Sequence, residues 1–359
     1  MPLKPAEKRW EVLPTIPEPA DQSLSEYPPV IRQLLYNRGI ESAEAAAAFL
    51  NARLPDHDPF LLLGMQQAVN RIKDAIESDE QIAVYGDYDV DGLTSTALLV
   101  DALTRLGGRA LPYIPNRFDE GYGLNNEALQ SLHDQGVGLA ISVDCGIRSI
   151  TEAEHARRIG LDLIITDHHH PGEIVPPAEA VINPRLEGDP YPDKELTGVG
   201  IAYKLACGLA AALDRHGLQT SELLDLVALG TVADVAPLTG ENRAMVNAGL
   251  RLLSRPRRPG LSALLGVSRL YGKPIQAQHI GFIIGPRLNA AGRLDSAEKA
   301  YRLLATTDPR EAGLLAQELD DQNRQRQEIT RATQTMAEER LGEEEVILIA
   351  DAHESYNPG

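Results

Sequence analysis

Short apolar segments alternate with amphipathic segments through the middle of the chain. QIAVYG (81–86), LAISV (139–143) and LDLIIT (161–166) are almost wholly apolar, whereas the stretch after the first contains TSTALLVDALTRLG (94–107), whose apolar residues recur with a helical period. Apolar runs of this length are typical of strands buried on both faces of a sheet, and their alternation with helices indicates parallel strands. The predicted fold class is therefore α/β, with a parallel sheet.

The segments on either side of this alternation are predicted to be mostly helical. Residues 1–30 are rich in proline and charge and are expected to form an irregular arm, and RPRRPG (255–260) interrupts the second helical region. The charged segment from Asp308 onward predicts one long helix that connects two lobes, and EVILIADA (345–352) begins like another buried strand. The predicted organisation is an N-terminal arm and helical region (1–75), an α/β domain (76–255), a helical extension (256–307), a long connecting helix (308–342) and the start of a second lobe (343–359).

The charge balance changes this picture. The 359 residues include 34 Lys and Arg against 52 Asp and Glu, a formal net charge of −18. Such a charge repels polyanions at long range unless bound divalent cations reverse its sign locally, and an acidic surface that only maintains solubility is the alternative. No apolar run is long enough to span a bilayer, the N-terminus lacks a secretory signal, and two cysteines cannot build a disulfide framework. A cytoplasmic protein with no membrane role is therefore expected.

Ionisable side chains stand immediately after three of the predicted strands. These are Asp87, Asp89 and Asp91 in YGDYDVDG, Asp144 in SVDCG, and Asp167, His168, His169 and His170 in ITDHHHPG; Asp234 interrupts a fourth apolar stretch, LGTVADVAPL. Because the carboxyl ends of parallel strands share one edge of a sheet, we expect these side chains to converge there. Asp89 and Asp91, as alternate residues of an extended segment, are expected to point the same way.

This set of side chains suits a metal site. Carboxylate oxygens together with imidazole nitrogens fit Mn²⁺ or Mg²⁺, and the histidines favour Mn²⁺. One ion is an open alternative, whereas four or more acids with two histidines suggest two ions, an arrangement that activates water and holds a phosphoryl group.

Other interpretations of the same residues are simpler. The acids of DVDG could cap a helix, Asp144 could be a turn residue, and the histidine run could be a solvated loop. Ligand-type residues at three strand ends together favour the metal site. The sequence has no EF-hand spacing, no P-loop motif and no G-x-S-x-G, which argues against those classes.

The motifs DYDVDG (87–92), SVDCG (142–146) and TDHHHPG (166–172) resemble those of the DHH phosphoesterase superfamily, which is named for its Asp-His-His triplet. Within that superfamily, further segments resemble the bacterial single-strand-specific exonucleases: PNRFDEGYGL (115–124), AVINPR (180–185), TGVGIAYKL (197–205), DLVALGTVADVAPLTGENR (225–243) and GPRLNAAGRLDSA (285–297). The triplet alone is a weak signal, but the ordered blocks together are highly specific.

The resemblance implies both an architecture and an activity. The fold would be a catalytic DHH lobe, a long connecting helix and a smaller second lobe of DHHA1 type, of which the chain is expected to contain only the beginning. The activity would be metal-dependent 5′→3′ digestion of single-stranded DNA to mononucleotides in recombination and repair, with two Mn²⁺ or Mg²⁺ ions. Single-stranded DNA is the implied partner, and a single-strand-binding protein and a helicase are further candidates.

The resemblance also implies roles for individual residues. The metal ligands would be Asp89, Asp91, Asp144, His168 and Asp234. The catalytic set would add His169, which contacts the scissile phosphate or protonates the leaving oxygen, Asp167, which orients a histidine, and Asp87, which acts directly or from behind the ligands. Arg117, Arg287, Asn289 and Arg293 are candidate substrate contacts, although a surface salt bridge is the alternative for each arginine. His170 extends the triplet and receives no role.

Two rival functions remain open. Another DHH phosphodiesterase, acting on short oligonucleotides or cyclic dinucleotides, would share the metal site and differ in its dependence on substrate length. A non-catalytic DNA- or replisome-binding relative would be expected to have lost ligands, whereas every ligand-type position is filled here.

Overall fold

A five-stranded parallel sheet forms the centre of the fold, which confirms the α/β prediction. The computed structural model describes residues 10–53, 57–116, 120–121, 123–213, 217–294 and 296–339. The strands are β1 (Gln81–Gly86), β2 (Arg109–Tyr113), β3 (Val137–Val143), β4 (Asp162–Thr166) and β5 (Ala180–Ile182). Their order across the sheet is β2-β1-β3-β4-β5, and each neighbouring pair is parallel.

Helices make up most of the remaining described chain. Those up to the last strand are α1 (Glu18–Ser23), α2 (Pro29–Tyr36), α3 (Ala43–Asn51), α4 (Met65–Glu77), α5 (Val90–Arg105), α6 (Asn126–Asp134) and α7 (Ile150–Ile159). Those after it are α8 (Gly198–Leu213), α9 (Leu224–Ala233), α10 (Gly240–Leu253), α11 (Pro259–Val267), α12 (Ala277–His279), α13 (Gly285–Leu294), α14 (Glu298–Ala305) and α15 (Pro309–Glu339). Pro59–Leu61 and Thr220–Leu223 are 3₁₀ turns, and Ile280–Ile284 is a π-helical turn.

The central strands are buried on both faces. In β1, Ile82 and Val84 pack in the core that also contains residues of α4, α5, α8 and α9, whereas Ala83 and Tyr85 pack with residues of α6 and α7. Successive side chains of a strand point to opposite faces, so burial of both faces requires an uninterrupted apolar run. This is the physical reason that QIAVYG lacks a polar alternation.

The strand order reverses between β1 and β3. The chain leaves β1 through α5 to reach β2 on one side, and β3 pairs with β1 on the other. Open α/β sheets hold their ligands in the crevice beyond the carboxyl ends of the strands at such a reversal. Asp87 follows β1 and Asp144 follows β3. The topology therefore brings both motifs to the crevice.

The described residues fall into two units. Residues 57–331 contain the sheet and its helices, and residues 10–53 together with the last helix beyond residue 331 form the other unit, in which Leu24, Leu35 and Ala46 are buried. The N-terminal arm that we predict to be irregular contains the helix α1. Pro19 is compatible with this helix because it lies in the first turn, where a missing N–H costs no hydrogen bond.

The domain boundaries in the sequence-based organisation stay a prediction. The helix predicted over 308–342 is observed as α15, and the second lobe predicted from residue 343 lies outside the described residues. In the part of the chain that the structure describes, no helix is both long and apolar enough to cross a membrane.

Candidate metal centre

The loop after β1 turns directly into α5. Asp89 is the N-cap of this helix, and its Oδ1 accepts hydrogen bonds from the amides of Asp91 at 2.8 Å and Gly92 at 3.1 Å. Asp89 is extended (φ −86°, ψ 179°), but Asp91 lies in the first helical turn, so the expectation of one extended segment holding both residues is wrong. With these cap hydrogen bonds the helix begins at Val90, before Gly92.

Asp91 also stabilises the start of α8. Its Oδ2 accepts from the amide of Gly198 at 2.7 Å and its Oδ1 from the amide of Val199 at 3.0 Å, two donors that a helix N-terminus leaves without internal partners. Burial, with the nearby charge of Asp89, raises the pKa of Asp91 to about 7, although the two amides of α8 oppose the shift. A cation beside this carboxylate would remove the cost of its charge.

Asp144 has a strained backbone and a buried carboxylate. Its φ of 62° lies in the left-handed region, which aspartate tolerates better than most residues. Its Oδ1 is buried and accepts no hydrogen bond from any described residue. Burial and the charges of Asp91 and Asp89 raise its pKa well above the usual range. A buried carboxylate oxygen without a donor fits a metal ligand.

His168 brings a nitrogen to the same place. Its Nε2 lies 3.1 Å from Asp144 Oδ1, 3.8 Å from Asp91 Oδ2 and 4.0 Å from Asp234 Oδ2. This nitrogen is buried and has no hydrogen-bond partner among the described residues. Burial lowers the pKa of His168 and Asp234 opposes the shift, so the ring favours its neutral form, which is the form that binds metals.

Asp234 completes this side of the centre from the end of α9. It is the C-cap of that helix, and its side chain is about one quarter exposed, at 27 %. Burial raises its pKa to about 6, and the charge of Asp91 adds to the shift. The acid that interrupts the apolar stretch therefore belongs to the centre, as its position in LGTVADVAPL suggests.

The potential ligands form three overlapping groups whose donor atoms lie within 4.8 Å of one another. The groups are Asp144, His168 and His169; Asp91, His168 and Asp234; and Asp87, Asp89 and Asp144. Asp144 and His168 each belong to two groups. Shared ligands between neighbouring groups are compatible with two ions side by side. The donor set, oxygen-rich with imidazole, fits Mn²⁺ or Mg²⁺.

Asp167 positions His169 beside the candidate metal ligands. Its Oδ1 accepts from His169 Nδ1 at 2.7 Å and from the His169 amide at 3.0 Å, and its Oδ2 accepts from the Ile147 amide at 2.9 Å. Burial alone would raise the pKa of Asp167, but the hydrogen bonds from His169 and Ile147 outweigh it and lower the pKa. The same bond to Asp167 raises the pKa of His169. This arrangement orients His169 and favours its protonated form.

The predicted substrate contacts have different surroundings. Asn289 Oδ1 accepts from the Val90 amide at 3.2 Å, so α13 braces the loop between Asp89 and Asp91. Arg287 is bound to Asp320 of α15 at 2.9 Å and to the Ile283 carbonyl at 2.7 Å, which is the salt-bridge alternative. Their roles as DNA contacts stay predictions. Arg117 and the side chain of Arg293 lie outside the described residues.

Two glycines to which the sequence gives no predicted role allow the backbone to approach the candidate ligands closely. A Cβ at Gly198 would lie 2.6 Å from the Cβ of Asp144, and a Cβ at Gly230 would lie 2.6 Å from Oδ1 of Asp91. Only hydrogen fits in either position, since real Cβ contacts are longer. The signal is present in the sequence, because both glycines stand in blocks that carry the resemblance, TGVGIAYKL and DLVALGTVADVAPLTGENR.

Comparison with known proteins gives consistent matches. The model of the DHH family, N-terminal domain, matches residues 81–231. The single-stranded-DNA-specific exonuclease RecJ of Bacillus subtilis (strain 168) is 43% identical over 336 residues, 92% of this chain and 42% of the relative. A crystal structure of exonuclease RecJ bound to manganese is 40% identical with a TM-score of 0.71, covering 77% of this chain and 69% of that one. RecJ from Thermus thermophilus in complex with Mn²⁺ is 35% identical with a TM-score of 0.80, covering 92% of this chain and 48% of that one.

The parallel sheet, the candidate metal ligands where its strand order reverses, and the family match together define a DHH phosphoesterase domain. Within that class, the chain belongs to the RecJ family. The chain spans about half the length of the curated relatives it matches.

Proposed function

We propose that this chain carries the catalytic centre of a metal-dependent 5′→3′ exonuclease that hydrolyses single-stranded DNA to mononucleotides in recombination and repair. The observation that carries the proposal is the pair of buried atoms Asp144 Oδ1 and His168 Nε2, 3.1 Å apart and without hydrogen-bond partners among the described residues. Side chains of this kind are stable in a folded chain when a cation lies between them. The family to which the chain belongs supports the choice of substrate.

Two Mn²⁺ or Mg²⁺ ions would be held by residues of the three motifs at the strand ends together with Asp234. The proposed ligands are Asp89, Asp91, Asp144, His168 and Asp234, with Asp87 beside them. When bound, the ions would supply activation of water and neutralisation of the charge that develops on the phosphoryl group. Asp144 and His168, each of which belongs to two of the three donor groups, are proposed to hold the ions close together.

His169 is proposed to assist departure of the leaving group. Its Nδ1 is held by Asp167 at 2.7 Å, which raises the pKa of the ring and favours the protonated form. The side chain is 46 % exposed, so a substrate could reach the ring. His169 would contact the scissile phosphate or give a proton to the leaving 3′ oxygen, and Asp167 would keep the imidazole in that orientation.

The wider setting follows from the same proposal. Single-stranded DNA is the substrate, and a single-strand-binding protein and a helicase are the proposed protein partners in the cytoplasm. The resemblance of the chain to single-stranded-DNA-specific exonucleases supports the first of these, and the partners rest on the proposed role in repair.

The test is release of mononucleotides from single-stranded DNA labelled at one end or the other, with Mn²⁺ or with chelator. We expect a label at the 5′ end to be released at once as mononucleotide. A strand labelled at the 3′ end should shorten gradually. Asp144→Asn should abolish release. Arg255→Ala, a change at an exposed arginine in the RPRRPG segment, is the matched control and should match the parent chain.

Two results would contradict the proposal. Immediate release of the 3′ label would reverse the proposed polarity. Cleavage of dinucleotides or cyclic dinucleotides without digestion of longer strands would move the chain to the small-substrate branch of the superfamily.

A further inference from the structure

His170, which follows the Asp-His-His triplet, contacts two arginines from two different loops. Its ring Nε2 lies 2.9 Å from Nη1 of Arg185, which follows β5. Its backbone carbonyl accepts a hydrogen bond of 2.9 Å from Nε of Arg148, which follows β3. A neutral ring nitrogen can accept from the guanidinium, so the residue next to the proposed catalytic histidine fixes two cations at the carboxyl edge of the sheet.

The position of Arg185 is also fixed through its backbone. The fully buried Asn183 donates from Nδ2 to the His169 carbonyl at 2.9 Å and accepts from the Arg185 amide on Oδ1 at 2.8 Å. One amide side chain thus joins Arg185 to the strand end that carries the triplet.

Both guanidinium groups keep the capacity to bind an anion. The two η nitrogens of the exposed Arg148 make no hydrogen bond to any residue that the structure describes. Arg185 Nη2 is paired with Glu195 at 2.8 Å, but this pair is only partly buried: the arginine side chain is 23 % and the glutamate side chain 45 % exposed, so the carboxylate is open to competition from an anion in solution. A phosphate could therefore replace Glu195, and arginine binds phosphate oxygens in a bidentate manner.

We propose that Arg148 and Arg185 form a phosphodiester-binding subsite beside the metal centre, and that His170 is the residue that positions them. The identity of the bound strand as single-stranded DNA rests on the proposed function. The subsite also answers the problem that the net charge of −18 creates, because a polyanion must meet local positive charge near the reacting bond.

Binding without catalysis tests the subsite first. A fluorescently labelled oligothymidylate is titrated with the chain in chelator over a series of salt concentrations. Arg148→Ala and Arg185→Ala should each weaken binding by about fivefold, and each should reduce the slope of log K against log salt by about 0.7, the value for one phosphate contact on a single strand. Arg255→Ala is the matched control, since it removes an exposed arginine elsewhere and should leave the slope unchanged.

His170 variants test the positioning role. His170→Ala should weaken binding and raise KM with little change in kcat, because Arg185 loses the ring nitrogen that holds it, while the backbone carbonyl that binds Arg148 and the metal centre stay intact. His170→Gln, whose amide oxygen can accept from Arg185, should restore KM. If Arg148→Ala and Arg185→Ala keep the parent slope, or if His170→Gln behaves like His170→Ala, the subsite is disproved. Normal arginine-dependent slopes in a chain that releases no mononucleotide would instead disprove the proposed function alone.

Discussion

Two buried aspartates of the metal centre are used differently by the fold. Both oxygens of Asp91 accept amide hydrogen bonds from the start of α8, so this residue stabilises the chain whether or not a metal is bound. Oδ1 of Asp144 has no such partner in the described chain, and the residue is held in a left-handed conformation. Asp144 therefore lowers the stability of the metal-free fold, which fits its proposed role as a metal ligand.

Replacement of each aspartate should separate these roles. Asp144→Asn removes one charge from a repelling cluster, and asparagine tolerates the left-handed conformation, so the metal-free melting temperature should be unchanged or raised. Asp91→Ala should destabilise the fold by about 1–3 kcal/mol, since buried amides of α8 lose their acceptor. Urea denaturation with chelator and with Mn²⁺ measures both effects. Stabilisation of Asp144→Asn by Mn²⁺ to the parental extent would show that Asp144 is not a ligand.

Gly198 offers a test that replaces no proposed ligand. A Cβ there would lie 2.6 Å from the Cβ of Asp144, so Gly198→Ala must displace the aspartate. We expect the Mn²⁺ affinity to fall about 10- to 100-fold, the range for changes that misplace a ligand from behind. Gly266→Ala in α11 is the control, because a Cβ there meets nothing within 4 Å and alanine favours the helix. Calorimetric titration with Mn²⁺ compares the two, and equal affinities would refute the packing argument.

At the scale of elements, hydrophobic periodicity predicts most of this fold. The strand predicted at QIAVYG is observed with those bounds, and the helical period of TSTALLVDALTRLG is observed in α5. Each element buries apolar residues whose spacing matches the repeat of a strand or of a helix. The start of α5 at Val90 could not be predicted in this way. It depends on the Asp89 cap and on the brace from Asn289, which comes from 199 residues further along the chain. The same limit applies to the site, since Gly198 and Asp144 meet only in the folded chain.

The RPRRPG segment has a structural role that its composition does not predict. A continuous chain of ion pairs joins it to the end of α5, running from Arg257 through Glu222, Arg105, Asp101 and Arg258 to Asp225 along one cavity of about 470 Å³. Asp225 is buried, which raises the pKa of this carboxyl, while Arg258 opposes the shift. Arg258 thus compensates a charge that would otherwise be costly.

Neighbouring arginines of this segment should therefore differ in their contribution to stability. Arg258→Ala leaves Asp225 without its partner and should lower the free energy of unfolding by about 3 kcal/mol. Arg257→Ala removes only a pair whose arginine side chain is 76 % exposed and should cost less than about 1 kcal/mol. Chemical denaturation of the two variants decides the matter, and equal losses would mean that the ion pairs act only through packing.

For the whole molecule, the metal centre couples stability to proton uptake. Burial, assisted by neighbouring aspartates, raises the pKa of Asp91 to about 7 and that of Asp234 to about 6, both above the ordinary value of 3.8. A carboxyl whose pKa is raised by folding binds its proton more tightly in the folded state. Its stabilising contribution is complete below the unfolded pKa and is lost as the pH rises through the folded pKa.

The metal-free chain should therefore become less stable as the pH rises from about 5 to about 8, whereas Mn²⁺ should stabilise it increasingly over the same interval, because the ion replaces the protons. Melting temperatures are measured across this range with chelator and with excess Mn²⁺. Their difference at each pH is the shift in melting temperature that the ion causes. We expect that shift to grow with pH in the parent chain and in Arg257→Ala, and to be nearly absent in Asp144→Asn at every pH. A Mn²⁺-induced shift that stays constant from about pH 5 to about pH 8 would mean that no protons leave when the ion binds, and that the buried aspartates are not its ligands.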